Sequence, residues 1–187
     1  TIYLPHKDMR MSLGGIGKGY AVDQAFMLLR DRGVENFYLN GAGDIRVHSR
    51  NDAKRSWHIG IRNPLSEDLS KMIGSLKLTN EAVATSGDYI RKYDFGNLTH
   101  HHIIDIQSGN STNEIVSSTV IANTVLHADV LATSMVLLGV KCGLDMVNSR
   151  GLMAFVVDQS GKVHLSKSFV SMMENERQRV QTRSLCE

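Results

Sequence analysis

The chain has 187 residues, 42% hydrophobic and 21% charged, with a formal net charge of +2. That length supports one domain with a substantial core, and the scattered, nearly balanced charges leave no electrostatic footprint for nucleic acid. No uninterrupted apolar run approaches the roughly 20 residues that cross a bilayer, and the first residues do not resemble a signal peptide. In chain order, Thr1-Ile2-Tyr3-Leu4 reads as a short strand ended by Pro5. A glycine-rich turn follows, and a helix is predicted from about Lys18 to Arg32. Ala21, Ala25, Leu28 and Leu29 share one face of it, and Gly33 stands at the C-cap position. Asn36–Leu39 and Asp44–His48 read as strands split by Asn40-Gly41-Ala42-Gly43, and Trp57–Ile61 alternates as a strand does. Residues 63–72 read as a loop. Ser75–Leu78, Ala82–Thr85, Tyr89–Tyr93 and His101–Asp105 are expected to form an antiparallel meander, with Gly96-Asn97 as the last turn.

Ile115–Ala122 is rich in β-branched residues and reads as a strand. Asn123 or Thr124 can cap a helix running to about Leu138, with Leu131, Met135 and Leu138 on its apolar face. A shorter helix is expected over Gly143–Asn148, and Leu152–Val157 with Val163–Ser166 reads as a hairpin. After Phe169 the polar tail shows no clear element. Helices interrupt strands without strict βαβ spacing, so the expected class is α+β (mixed α/β), a largely antiparallel sheet with helices packed on it. Cys142 and Cys186 make neither a disulfide framework nor metal-ligand spacing, and Cys142, in an apolar stretch, is expected to be a buried thiol.

Four stretches carry candidate chemistry. Ser12-Leu13-Gly14-Gly15-Ile16-Gly17-Lys18-Gly19-Tyr20-Ala21-Val22-Asp23 gathers four glycines around a lysine just before a helix. It fails as a P-loop, because Ser12 and Gly19 stand where that loop needs Gly and Ser or Thr, and it fails as a dinucleotide fingerprint at Tyr20. A glycine-rich turn feeding a helix N-terminus still presents free N–H groups to an anion, and Lys18 adds charge. The glycines serve equally well to let a helix pack closely on its neighbours. In Ala128-Asp129-Val130-Leu131-Ala132-Thr133-Ser134, Asp129 and Thr133 are one helical turn apart. A carboxylate and a hydroxyl so placed suit Mg2+, which takes oxygen ligands. The plainer alternative is that Thr133 bonds back to its own helix while Asp129 is solvated.

In Thr99-His100-His101-His102-Ile103-Ile104-Asp105, a strand would put His100 and His102 on one face and His101 on the other. No partner pattern completes a zinc site, so one histidine is expected to point into a site, and His102 is expected to be partly buried. Glu81-Ala82-Val83-Ala84-Thr85-Ser86-Gly87-Asp88-Tyr89 offers hydroxyls at a turn but no nucleophile elbow.

Taken in order, L-G-G-I-G-K-G-Y-A-V-D, N-G-A-G-D-I, W-H-I-G-I-R-N-P, A-V-A-T-S-G-D-Y, H-H-I-I-D-x-x-S-G and A-D-V-L-A-T-S resemble the ApbE family of flavin transferases (FAD:protein FMN transferases). The resemblance runs from about Ser12 to Leu165. It implies that residues 1–187 are a single domain, the C-terminal portion of a longer protein. The segment that helps to hold the flavin ring would then come from elsewhere, such as a separate N-terminal chain. It implies a Mg2+-dependent enzyme that takes FAD, passes the FMN phosphoryl group to a Thr or Ser hydroxyl of an acceptor flavoprotein subunit and releases AMP. FAD hydrolysis, or FAD binding without transfer, is the alternative within the same resemblance. Family metal ligands fall here on the Gly15 carbonyl, Asp129 and Thr133, FAD contacts on Ser12, Lys18 and Ile104, and the acid–base group on His102. The resemblance also implies a periplasmic location, or anchoring on the outer face of the bacterial inner membrane. Ser12 stands where the family usually has Asp, and Ile106 where it has Pro, departures that bear on transfer more than on FAD and Mg2+ binding.

Overall fold

A computed structural model describes residues 1–50, 55–87 and 101–174, and the backbone alone of 93–95 and 98–100. Its centre is a six-stranded, wholly antiparallel sheet in the order β1-β2-β5-β8-β9-β10. The strands are β1 (Asn36–Gly41), β2 (Asp44–Ser49), β5 (Ala82–Gly87), β8 (Ile115–Ala122), β9 (Met153–Asp158) and β10 (Val163–Leu165). A separate ribbon pairs β3 (Trp57–Arg62) with β4 (Met72–Leu78), and a small one pairs β6 (Tyr93–Phe95) with β7 (Leu98–His100). The two long helices are α1 (Gly17–Asp31) and α2 (Val125–Asn148).

The sheet is covered on both faces, and the strand sequences show why. Along β9, Phe155 and Val157 join a core with Leu76 and Leu78 of the β3–β4 ribbon, while Ala154 and Val156 join another with Ala132, Met135 and Val136 of α2. Side chains alternate faces along a strand, so a strand sandwiched between two layers must be apolar on both. Strand β8 is buried at every position. Ser117, Ser118 and Thr119 lie inside; Thr119 shares a hydrogen bond with Thr85 (2.8 Å) and Ser118 donates to Met135 Sδ (3.4 Å). The expected meander is therefore corrected. Strands β3 and β4 leave the sheet as a ribbon, and β5 enters it between β2 and β8.

Local punctuation agrees closely with the residues. Ala42 and Gly43 both have positive φ (55° and 100°), the two-residue turn whose twist suits a hairpin, and the Asn40 side chain accepts the Gly43 N–H. Gly33 (φ 79°) ends α1, with its N–H on the Arg30 carbonyl and that of Val34 on Leu29, a Schellman motif. Thr124 caps α2 by accepting the His127 N–H. The two helices expected over 123–148 form one element, broken by non-helical backbone at Gly139 (φ 76°, ψ 175°). Past the break the Glu114 carboxylate accepts the Val140 N–H (3.0 Å), capping the second half. Helix α2 is long and apolar enough to cross a membrane by length and composition, yet it lies across β5 and β8 and buries Asp129.

Several expectations fail. Residues 1–4 form no strand, and 101–105 form a loop with a single bridge from Ile104 to Ser111. On α1 the buried residues are Gly19, Val22 and Phe26, while Ala21, Ala25 and Leu28 are exposed. Two apolar stripes compete on that helix, and the aromatic one wins: Phe26 packs against Phe37 and His48. On α2, Leu138 is exposed beside the break. Cys142 is exposed rather than buried, because the residues turned inward there are Gly139, Gly143 and Val147. A helix spans 167–174, where no element was predicted. Tyr89 to Lys92, the Gly96-Asn97 turn and Cys186 lie outside the described residues.

The β9–β10 turn supplies a pH-sensitive element. The Asp158 carboxylate accepts from His164 (2.7 Å), the Ser160 hydroxyl (2.6 Å) and N–H (2.9 Å), and the Lys162 N–H (3.0 Å). These contacts, His164 foremost, hold its pKa far below the ordinary 3.8. A depressed carboxyl contributes stability that is present above its unfolded pKa and lost as pH falls toward the folded one. Asp158→Asn should therefore lower Tm at pH 7 and flatten the loss of Tm on acidification below about pH 4, read by thermal melts across pH.

Candidate active site

Helix α1 brings the glycine-rich turn to the start of α2. Gly17 donates its N–H to the Leu13 carbonyl (2.9 Å) as the turn closes into the helix. At Gly19 an added Cβ would lie 2.7 Å from Leu126 Cα and 2.9 Å from the Val125 carbonyl, so only glycine admits this approach of two backbones. At Gly41 a Cβ would meet Val22 Cγ2 at 2.4 Å, which lets α1 settle on β1. Gly15 and Gly17, by contrast, have nothing within 4 Å of where a Cβ would stand. The glycines thus divide the work: Gly19 and Gly41 are for packing, while Gly15 and Gly17 border open space.

One carboxylate locks the two helices in register. Asp23 accepts the N–H groups of Val125 (3.0 Å) and Leu126 (2.9 Å), and Arg46 holds Asp23 while donating to the Asn123 carbonyl. A carboxylate on free N–H groups at a helix start satisfies orphan donors and complements the dipole. Asp23→Ala should cost about 1–2 kcal/mol, by analogy with loss of an N-cap. It should also weaken binding at the site described next, because that site spans the α1–α2 junction. Denaturant melts and ligand titration of the same variant check both effects.

Lys18, Asp44, Asp129, Thr133 and Ser86 meet at this junction. Lys18 Nζ lies 2.5 Å from Asp44 Oδ2 and 3.9 Å from Asp129 Oδ1. Asp44 is 1% exposed and Asp129 5%, so two carboxylates are buried against a single, half-exposed ammonium. Asp129 Oδ2 is buried and has no hydrogen-bond partner among the described residues. Burial raises the Asp44 pKa above the ordinary 3.8; the hydrogen bond from Lys18 opposes this, and the nearby Asp129 charge adds to it. Thr133 Oγ1 donates to the Asp129 carbonyl (3.1 Å) and sits 2.8 Å from Ser86 Oγ. A hydroxyl has one proton, so Ser86 is the donor in that pair and Thr133 keeps one lone pair for another partner.

This settles half of the plainer alternative for Asp129 and Thr133. Thr133 does bond back to its helix, but Asp129 is not solvated. The donor set is all oxygen: two carboxylates and two hydroxyls, with an orphaned buried carboxylate oxygen. A hard divalent cation such as Mg2+ suits that set. No group of three or more His, Cys, Asp and Glu gathers among the described residues, so the oxygen donors here would include hydroxyl or backbone oxygens.

The other sequence-derived residues fall into two places. Ser12 and Gly15 are exposed in the glycine-rich turn, where Ser12 Oγ accepts the Gly14 N–H (3.2 Å). His102 and Ile104 are exposed on the loop between β7 and β8, and Ile106 is 95% exposed. The histidine expectation is reversed. His101 is the buried one, its ring taken up by the Ile103 N–H and the Thr112 carbonyl, so it builds the loop and leaves His102 outward. Asp105 organises the same loop by accepting the Gln107 and Ser108 N–H groups. That loop and the α2 break line a polar cavity of about 370 Å³. Asp44 and Ser86 were missed as site residues, although both lie in quoted motifs, N-G-A-G-D-I and A-V-A-T-S-G-D-Y. Their spacing from Asp129 in sequence carries no signal, because only strand pairing places β2 and β5 beside α2.

Comparison with known proteins bears on the family and the fold. A model of the ApbE family matches residues 2–156. An FAD:protein FMN transferase of Klebsiella pneumoniae is 34% identical over 151 residues, covering 80% of this chain and 46% of the relative. One from Escherichia coli is 26% identical over 174 residues, covering 91% and 49%. The crystal structure of the ApbE protein of Thermotoga maritima superposes with a TM-score of 0.77 at 30% identity, covering 86% of this chain and 52% of that one. The apo flavinyl transferase ApbE of Pseudomonas stutzeri gives 0.72 at 28% identity, covering 86% and 50%. The chain spans about half the length of the curated relatives it matches. With the family model matching most of the chain, and solved members of the family alike in fold, the chain belongs to the ApbE family.

Proposed function

We propose that this chain forms the catalytic portion of an FAD:protein FMN transferase, with Mg2+ held by the Gly15 carbonyl, Asp129 and Thr133. The observation that carries the reading is Asp129, buried with one oxygen unpartnered among the described residues and Lys18 3.9 Å from the other. A buried carboxylate with an unfilled acceptor is costly unless a cation completes it. Bound there, Mg2+ would supply charge neutralisation and polarisation at a diphosphate.

The chain's own residues supply the rest. The turn at Ser12–Gly17 offers backbone N–H groups to phosphate oxygens, and Lys18 brings a flexible ammonium to the charge that develops in phosphoryl transfer. A Thr or Ser hydroxyl of the acceptor attacks the FMN phosphorus, and the bond to the AMP phosphate breaks. His102 takes the hydroxyl proton, a role worth roughly 10²–10⁴-fold. Its outward position suits a macromolecular acceptor, which must approach from solvent. Ile104, two residues along the same loop, is assigned to FAD.

The test is incubation of the protein with FAD, Mg2+ and an acceptor polypeptide carrying a Thr or Ser site. Covalent FMN on the acceptor with stoichiometric AMP supports transfer. AMP without acceptor labelling would show FAD hydrolysis instead, and neither product would refute the catalytic reading.

A further inference from the structure

The Lys18–Asp44 contact adds a residue that the metal assignment leaves out. Asp44 opens β2 directly after the tight Ala42-Gly43 turn, so its backbone is fixed, and its side chain is almost fully buried. Lys18 is half exposed on a flexible stem and has room to move; Asp44 does not. Both Asp44 and Asp129 lie within 4 Å of the one ammonium, and one positive charge cannot balance two carboxylates. Asp129 Oδ2, unpartnered among the described residues, marks the side on which charge is still missing.

We propose that Asp44 belongs to the divalent-cation site together with Asp129, and that Lys18 is a built-in stand-in cation, holding the acid pair until the ion enters and then freed toward the diphosphate. This rests on the metal reading above. A hard dication gains more from a carboxylate pair than a primary ammonium does. The two cations then compete for Asp44, and competition fixes the signs of two substitutions. Losing Asp44 removes a ligand and weakens binding. Losing Lys18 removes the competitor and tightens binding, whereas an ammonium that merely braced the site would weaken it when lost.

Mn2+ alone serves as the probe, titrated into FAD-free protein at pH 7.5 and followed by the EPR signal of the free ion, with circular dichroism to confirm folding. Asp44→Asn should weaken Mn2+ at least tenfold, Lys18→Met should tighten it about three- to tenfold, and the double variant should bind no tighter than Asp44→Asn. Asp44→Asn within twofold of wild type, with Asp129→Ala abolishing binding, overturns this inference and leaves the metal reading intact. Mn2+ binding that is absent in wild type, or undiminished by Asp129→Ala, overturns both. Should Asp44→Asn fail to fold, Lys18→Met decides alone: tightening supports the proposal, and weakening or no change overturns it.

Discussion

Asp129→Ala is expected to lower FMN transfer by at least about 10²-fold at saturating FAD, equivalent to roughly 3 kcal/mol of transition-state stabilisation. The reason lies in the accounting of one side chain. Asp129 is buried, one of its oxygens has no hydrogen-bond partner among the described residues, and the nearest cation is shared with Asp44. That arrangement costs free energy in the ion-free protein. The same substitution should therefore leave metal-free stability unchanged or slightly raised, the opposite of what a structural ion pair would show. Wild type should gain about 2.7 kcal/mol of stability at an ion concentration of 100 Kd, and the variant should gain none. Undiminished transfer by Asp129→Ala at saturating Mg2+ would sink the assignment. A large fall in metal-free Tm would instead make Asp129 a structural residue.

Gly19→Ala should cost about 1–3 kcal/mol and disable the site, whereas Gly17→Ala, two residues away, should change stability by less than about 1 kcal/mol. The contrast is geometric. At Gly19 the new methyl would sit within 3 Å of three backbone atoms of Val125 and Leu126, none of which is the end of a flexible side chain. Overpacking against backbone is relieved only by moving α1 away from α2. That movement carries Lys18 and the glycine-rich turn off Asp129, so Mn2+ affinity and transfer should fall together. Gly17 opens α1, and a Cβ added there would meet nothing within 4 Å. Urea melts of the two variants, paired with Mn2+ titration, make the comparison. Equal effects at the two positions would mean that the helix junction is not as close as described.

Local signals were legible wherever one residue's chemistry decides a conformation. Gly33 ends α1, Thr124 starts α2, and Ala42-Gly43 turns the first hairpin, each through its own φ or its own hydroxyl. The β-branched run of Ile115–Ala122 reads as a strand because such side chains suit a pleated surface buried on both faces. Less legible were choices between two apolar stripes. On α1 the stripe of Ala21, Ala25 and Leu28 looks as good as that of Val22 and Phe26 until Phe37 and His48 supply the aromatic contacts. His101 and His102 are likewise indistinguishable in sequence, and only the Thr112 carbonyl decides which ring goes inside.

The candidate site divides in the same way. Asp129 and Thr133 stood out as candidates by their one-turn spacing, and the glycine-lysine turn by its composition, because helical periodicity and backbone freedom are properties of neighbours in the chain. Asp44 and Ser86 became visible as site residues only in three dimensions, since β2 and β5 reach α2 through strand pairing across long stretches of sequence. Residue order by itself marked most of the strands, the caps and the family, and singled out the Asp–Thr pair as a candidate. Tertiary structure alone decided that Asp129 is buried with an unfilled acceptor, that Lys18 stands between it and Asp44, and that Gly19 is glycine for the sake of Leu126. Burial and charge balance are sums over neighbours that the fold assembles, and no local pattern contains them.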